Sequence, residues 1–405
     1  MDPSRRDRRA LQSVGVQFFV NGMTYATIIP RLPDIRDRVG VSIGTLGVIL
    51  TLGSVAGLVA TLLTGRVIAL VGSRQVMTVG GAVMIASLPV IGFTRTPVLL
   101  VVGLMVWLFL DVFVDVAMNV QGSVLSARRH TPVMNRLHGV WSLGTVAGAV
   151  VSVAMLRAGV STPAQLTIVA IALIGALLFI APGLLPVDEP HADESVAEPA
   201  RQPAPAPASG ADGEPSAARV AIRHRRGFVA LVLAAGGATA MAIENVNGDW
   251  ASFRLADDLH TRPGIAGLGF LVFTAGMTAG RLGGDFVQLR VGATRLVRLA
   301  SVVIAVGAVL AMLVPSVPVA IAGFLVSGLG TSVLFPQLYD RVARIPGPPG
   351  SGFASMLLGQ RGAAVATPAL VGALADTSVF SVGQAMVLVV VPCAAIVAWI
   401  TFVDV

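Results

Sequence analysis

Asp111, Asp115 and Asn119 stand four residues apart inside the apolar run from Leu99 to Gln121. At that spacing their side chains share one face of a helix. An ionised Asp at the centre of a membrane helix costs about 2.5–3.5 kcal/mol. Two of them cancel most of what about fifteen apolar residues at roughly 0.4 kcal/mol each contribute. The polar face must therefore turn to a wet cavity or to other polar helices, where carboxylates are suited to proton transfer. Asp111 and Asp115 read as a proton-coupling pair, with counter-charge to a buried arginine as the other role open to them.

Comparable groups recur further along. Glu244, Asn245, Asn247 and Asp249 precede Trp250 in another apolar run. Glu244 is a third candidate for proton coupling or a substrate ligand. Asn245, Asn247 and Gly248 weaken the helix there, as in the discontinuous helices of transporter sites. Asp249 with Trp250 reads either as an interfacial anchor or as part of a gate. Arg361 stands in mid-run beside Gln360. A lone arginine is expensive at that depth, so it either pairs with Asp111, Glu244 or another carboxylate, or binds an anionic group of a substrate. Asn21 and Tyr25 share a helix face with Gln17, and His138 and Trp141 share one with Ser142 and Thr145. The candidate substrate-binding residues are thus Asn21, Tyr25, Asn119, His138, Trp141, Asn247, Gln360 and Arg361. Gly144 and Gly148 form a small-xxx-small pair suited to helix packing and are given no ligand role.

The elements that must hold these residues are membrane helices. The 405 residues are 55% hydrophobic and only 12% charged, against about 25% charged in ordinary soluble domains. Mean hydropathy is +0.83. About twelve runs of membrane-spanning length recur: 11–32, 43–64, 76–95, 98–121, 138–157 and 164–185, then 228–252, 264–284, 296–315, 318–339, 352–374 and 382–402. The arginine-bearing N-terminus resembles a signal peptide, but the run after it carries Gln17, Asn21 and Tyr25 and reads as the first spanning helix. The segment 187–226 is rich in Pro, Ala and charge and reads as a disordered linker. It separates an N-terminal six-helix bundle, 1–186, from a C-terminal one, 227–405.

All 28 basic residues are arginine. They are scattered between apolar runs rather than gathered on a domain, so nucleic acid is not an expected partner. With the N-terminus placed in the cytoplasm, twenty arginines fall on the cytoplasmic side against seven outside. That bias predicts a plasma (inner) membrane protein with both termini cytoplasmic. The single cysteine, Cys393, excludes an intrachain disulfide or a cysteine-based metal site. No metal or other cofactor is expected. Without lysine there is no phosphate-binding Gly-Lys loop, and no His-Glu-x-x-His motif occurs, so the chain does not read as an enzyme or an ATP-driven pump.

Two connections repeat. Gly65, Arg66, Gly72 and Arg74 join the second and third runs, and Gly280, Arg281, Asp285, Gly292 and Arg295 join the eighth and ninth. Gly65, Arg66, Gly72, Arg74, Gly280, Arg281 and Asp285 are read as gating loops of a duplicated six-helix unit. The third, sixth, ninth and twelfth runs are nearly free of charge beyond their ends, as expected of helices facing lipid. The fourth, seventh and eleventh carry the intramembrane charge.

At this point the residues resemble the major facilitator superfamily. The Gly65, Gly72 and Arg74 loop is similar to its signature between helices two and three, although Ala69 stands where an acidic residue is usual. Asp285 is the candidate counterpart in the second half. The segments Asp115 to Asn119, Leu137 to Gly144 and Gly248 to Trp250 resemble the YbjJ-type proteins of the fucose-permease-like branch. The resemblance implies an all-α fold of twelve transmembrane helices in two pseudo-symmetric bundles. It also implies alternating access of a small-molecule substrate, with protons as the coupling ion and the lipid bilayer as the surroundings of a monomer. An efflux pump for an antibiotic or metabolite, and a transport-inactive sensor or scaffold, are the alternatives.

Overall fold

In lipid every backbone N–H and C=O must be satisfied within its own segment, and the apolar runs accordingly fold as helices. The computed structural model describes residues 3–129, 133–186, 217–344 and 351–403. The first half comprises α1 (Pro3–Ile28), α2 (Leu32–Val39), α3 (Ile43–Val71), α4 (Ser73–Gln75), α5 (Gly81–Phe93), α6 (Pro97–Arg128), α7 (Met134–Arg157) and α8 (Thr162–Ile180). The second comprises α9 (Ala217–Phe253), α10 (Pro263–Ala266), α11 (Leu268–Val291), α12 (Ala293–Leu313), α13 (Val317–Thr331), α14 (Leu334–Arg344), α15 (Ser351–Ala375) and α16 (Val382–Ile400). Among the described residues, ten helices are long and apolar enough to cross a membrane by length and composition alone. Of the other two long helices, α1 carries Gln17, Asn21 and Tyr25 and α15 carries Gln360 and Arg361.

The same packing recurs in both halves. In the first, α1 lies on α7, α3 on α6, and α5 on α6 and α8; in the second, α9 lies on α15, α11 on α13, and α12 on α13 and α16. Close approach depends on glycine at matching places. A side chain at Gly148 would meet the carbonyl of Met23 at 2.6 Å, and one at Gly144 would collide with that of Phe19. Across α9 and α15, Gly359 abuts the Ala234 carbonyl and Gly237 that of Met356. The packing role read for Gly144 and Gly148 is thus the one they take.

Several elements run beyond the apolar limits. α9 begins at Ala217, so the last ten residues of the expected linker are helical; 187–216 lie outside the described residues. α11 continues to Val291, which corrects the reading of Gly280 and Arg281 as a loop. The true equivalents are Gly72 and Gly292, which end α3 and α11 at φ 83° and 80°, a conformation glycine adopts without steric cost. Gly65 and Arg66 likewise lie within α3, and Arg74 in α4 just past the Gly72 turn. Asp285 is on α11, its side chain outside what is described.

Two buried arginines mark the pseudo-twofold at the end opposite the termini. Arg31 holds Gln165, Asp34 and the Val160 carbonyl at 2.7, 3.0 and 2.7 Å. Arg254 holds Asp258 at 2.9 Å and the Ala311 and Val314 carbonyls at 3.3 and 3.1 Å. Each fastens the end of the first helix of its half to a lipid-side helix.

Candidate functional site

Between the halves lies a cavity of about 320 Å³. Its wall comes from α1, Ile29, the start of α2 at Leu32, α3, α6, α7, α9, α11 and α15, and among the described residues includes none of α5, α8, α12 or α16. Those four helices present apolar side chains outward, among them Val83, Phe179, Val302 and Trp399. The sorting of helices by charge was therefore a sound guide to which ones line the interior.

The cavity's ionisable wall groups are Tyr25, Asp111, Glu244, Asp249, Arg281 and Arg361. On the first-half side, Trp141 Nε1 donates to Asn21 Oδ1 at 2.9 Å, and Asn21 Nδ2 donates to Asp111 Oδ1 at 2.8 Å. Asn21 is buried behind the wall. Both ends of its amide are spent on protein, so it positions Asp111 rather than contacting the cavity. Asp115 and Asn119 bond each other: the Asn119 amide donates to the Asp115 carboxylate at 3.2 Å and to its backbone carbonyl at 2.8 Å. Among the described residues, the wall includes Asp111 but neither of these two.

Among the described residues, two side-chain contacts cross between the halves at the cavity. Tyr25 Oη donates to Asp249 Oδ1 at 2.9 Å, and its ring stacks on Trp107 with centroids 5.9 Å apart. Arg281 Nη1 donates to Ser142 Oγ at 3.3 Å, while Nη2 lies 4.0 Å from Glu244 Oε2. Arg281, read from sequence as part of a connecting loop, is thus a cavity residue three turns inside α11, and it leaves the count of loop arginines. Asp249 also belongs to the cavity, and Trp250 is wholly buried against Phe253, so neither is an interfacial anchor.

The other candidates divide. Trp141 and Arg361 line the cavity. His138 is exposed beyond it, in edge contact with Phe18 at 5.3 Å. Asn247 is buried, and its amide donates to the Ile243 carbonyl at 2.8 Å. Gln360 is buried beside Arg361 and does not line the wall. Phe270, Phe273 and Trp107, absent from the expectation, supply aromatic wall. Among the described residues no three His, Cys, Asp or Glu side chains gather as a metal site.

The end opposite the termini is clasped. Arg36 binds Asp257 through both terminal nitrogens, one at 3.0 Å, and Asp37 at 2.7 Å. Its guanidinium lies over Phe253, 5.4 Å from the ring centroid. Burial alone would lower its pKa, but Asp257 and Asp37 hold it above the ordinary value. Ser42 Oγ donates to Asp376 at 3.1 Å. Deeper, Thr51 Oγ1 donates to the Val365 carbonyl at 2.8 Å and accepts from Ala369 N at 3.1 Å. Those are the two ends of one helical rung in α15, beside Pro368, so a hydroxyl from the first half is inserted into a helix of the second.

The major facilitator superfamily model matches residues 14–246. An uncharacterised MFS-type transporter of Yersinia pestis is 26% identical over 91% of this chain and 90% of its own length. An uncharacterised transporter of Sinorhizobium fredii, y4wD, is 27% identical over 91% of each. Among solved structures, the nucleoside transporter NupG has a TM-score of 0.73 at 13% identity and 97% coverage of each chain. An inward-facing bacterial homologue of the lysosomal transporter Spinster has 0.70 at 13% identity, over 99% of this chain and 98% of that one. With the all-helical fold and the cavity between its halves, these matches establish a multi-pass membrane protein that belongs to the major facilitator superfamily and is one of its transporters.

Proposed function

We propose that the chain is a secondary active transporter that moves a small organic solute by alternating access, driven by protons. The observation that carries this reading is the cavity itself. Asp111, Glu244 and Asp249 stand there with Arg281 and Arg361 in one space between two halves, and a volume of about 320 Å³ falls at the small end of ligand cavities. Proton coupling is assigned to Asp111, Asp115 and Glu244. Asp111 faces the solute and is held by Asn21, Asp115 lies one turn deeper, and Glu244 shares Arg281 with the opposite half. The clasp through Arg36, Ser42 and Thr51 holds the end away from the termini, so solute would enter from the terminal side. The arginine bias makes that side cytoplasmic, so this arrangement corresponds to an inward-facing state of a plasma-membrane protein. A monomer within the fucose-permease-like branch completes the reading.

A thermal-shift screen of purified protein against metabolites at about pH 5 and about pH 8 tests it. A solute whose stabilisation changes with pH, and loses that dependence in D111N, supports coupled transport. Equal stabilisation at both pH values would remove the proton and leave facilitated diffusion.

A further inference from the structure

Arg361 is the charged group of the cavity wall whose partner the protein does not supply. Three carboxylates around the cavity are hydrogen-bonded elsewhere, and the fourth, Glu244, whose Oε2 makes no hydrogen bond, lies against Arg281. Asp111 takes the Asn21 amide at 2.8 Å, and Asp115 takes the Asn119 amide at 3.2 Å. Asp249 takes the Tyr25 hydroxyl at 2.9 Å, and Glu244 has Arg281 at 4.0 Å. Among the described residues, no carboxylate comes within 4.0 Å of the Arg361 guanidinium and no side chain or carbonyl accepts from it. Asp111 and Asp115 act on it only through space. A guanidinium left in this way inside a membrane protein is costly. Its planar donor fork fits a carboxylate or phosphate with two parallel bonds.

The rest of the wall narrows the choice. Three carboxylates face two guanidiniums; with one carboxylate holding the coupling proton the charges balance, and a ligand bringing one negative charge to Arg361 meets less repulsion than one bringing two. Trp107, Phe270, Phe273, Met241, Met277 and Leu104 supply an apolar surface beside the fork. We infer that Arg361 is a specificity-determining residue and that the cavity takes a monocarboxylate with an apolar or aromatic body. The inference rests on the transporter reading above and names its substrate class.

The test compares C4 to C9 aliphatic and aromatic monocarboxylates with their amides and the corresponding amines, using binding to purified protein and counterflow in proteoliposomes. One triplet is 4-hydroxyphenylacetate, 4-hydroxyphenylacetamide and tyramine. The wild type should prefer the acid, and R361Q should lose roughly ten- to a hundredfold in affinity for it. R361K should recover part of that loss, keeping the charge without the fork. Because no protein group among those described hydrogen-bonds to Arg361 or pairs with it closely, R361Q should elute as the wild type does and melt close to it. Transport of amides or amines that R361Q leaves unchanged overturns the anion assignment and keeps the transporter. Absence of binding and counterflow across all three classes overturns both.

Discussion

The Tyr25 hydroxyl and the Asp249 carboxylate meet at 2.9 Å across the interface between the halves. Residues 224 positions apart thereby join α1 to α9 at the cavity wall. A hydrogen bond to a charged group contributes about 1.5–3 kcal/mol. Y25F should therefore lower the melting temperature of the purified protein and slow solute exchange, whereas D249N, which keeps an acceptor oxygen, should do less harm to stability. A double-mutant cycle on melting with Y25F and D249A measures the coupling; additive losses would mean the contact contributes nothing.

The clasp between Arg36 and Asp257 holds the far end closed. Both side chains are partly exposed, so its worth is about 1 kcal/mol, which is roughly a fivefold change in population. D257N should increase labelling, from the outer side, of a cysteine introduced at Leu32, which is buried in this state, and the charge exchange R36D with D257R should reverse the increase. Unchanged labelling would show that the ion pair does not bias the two states.

Thr51 is expected to matter through its hydroxyl alone. T51V conserves shape but leaves the Val365 carbonyl and Ala369 N–H to close their own rung. It should loosen α3 from α15 and open the far end further, read as added labelling at the same cysteine, while T51S should behave as the wild type.

Helix α7 offers an internal control on packing. G148L places a large side chain against the backbone of α1 and should abolish folded protein, overpacking by even less costing typically 1–3 kcal/mol. In the same helix nothing lies within 4 Å of a side chain added at Gly139. G139A should leave melting unchanged or raise it by up to about 1 kcal/mol in stability.

How much of this could be read from the chain alone depended on the range of each interaction. Spanning helices follow from local hydropathy, and the division into lining and lipid-facing helices follows from where charge is tolerated. Side-chain roles did not follow, because their partners are distant in sequence. Asn21 reads as a ligand until Asp111 and Trp141, 90 and 120 residues away, are seen to use its amide. Asn119 and Asn247 read as cavity residues, yet each bonds a carbonyl four residues back, a local option for Asn in any helix. Arg281 was mistaken because the Gly-Arg pair at Gly65 and Arg66 invited the match. The register of the two turn glycines, Gly72 and Gly292, would have corrected it, since Arg281 stands eleven residues before Gly292 and Thr61 eleven before Gly72.

In the proposed coupling a proton gradient drives solute through this cavity by way of Asp111. Proteoliposomes containing the wild type or D111N are loaded into a metabolite extract with an imposed pH gradient, and their contents are read by mass spectrometry. The wild type should concentrate at least one solute above its external level, only while the gradient lasts, and D111N should bring the same solute to equal concentrations inside and out. Concentration that survives collapse of the gradient, or that D111N sustains at the wild-type level, would contradict the account.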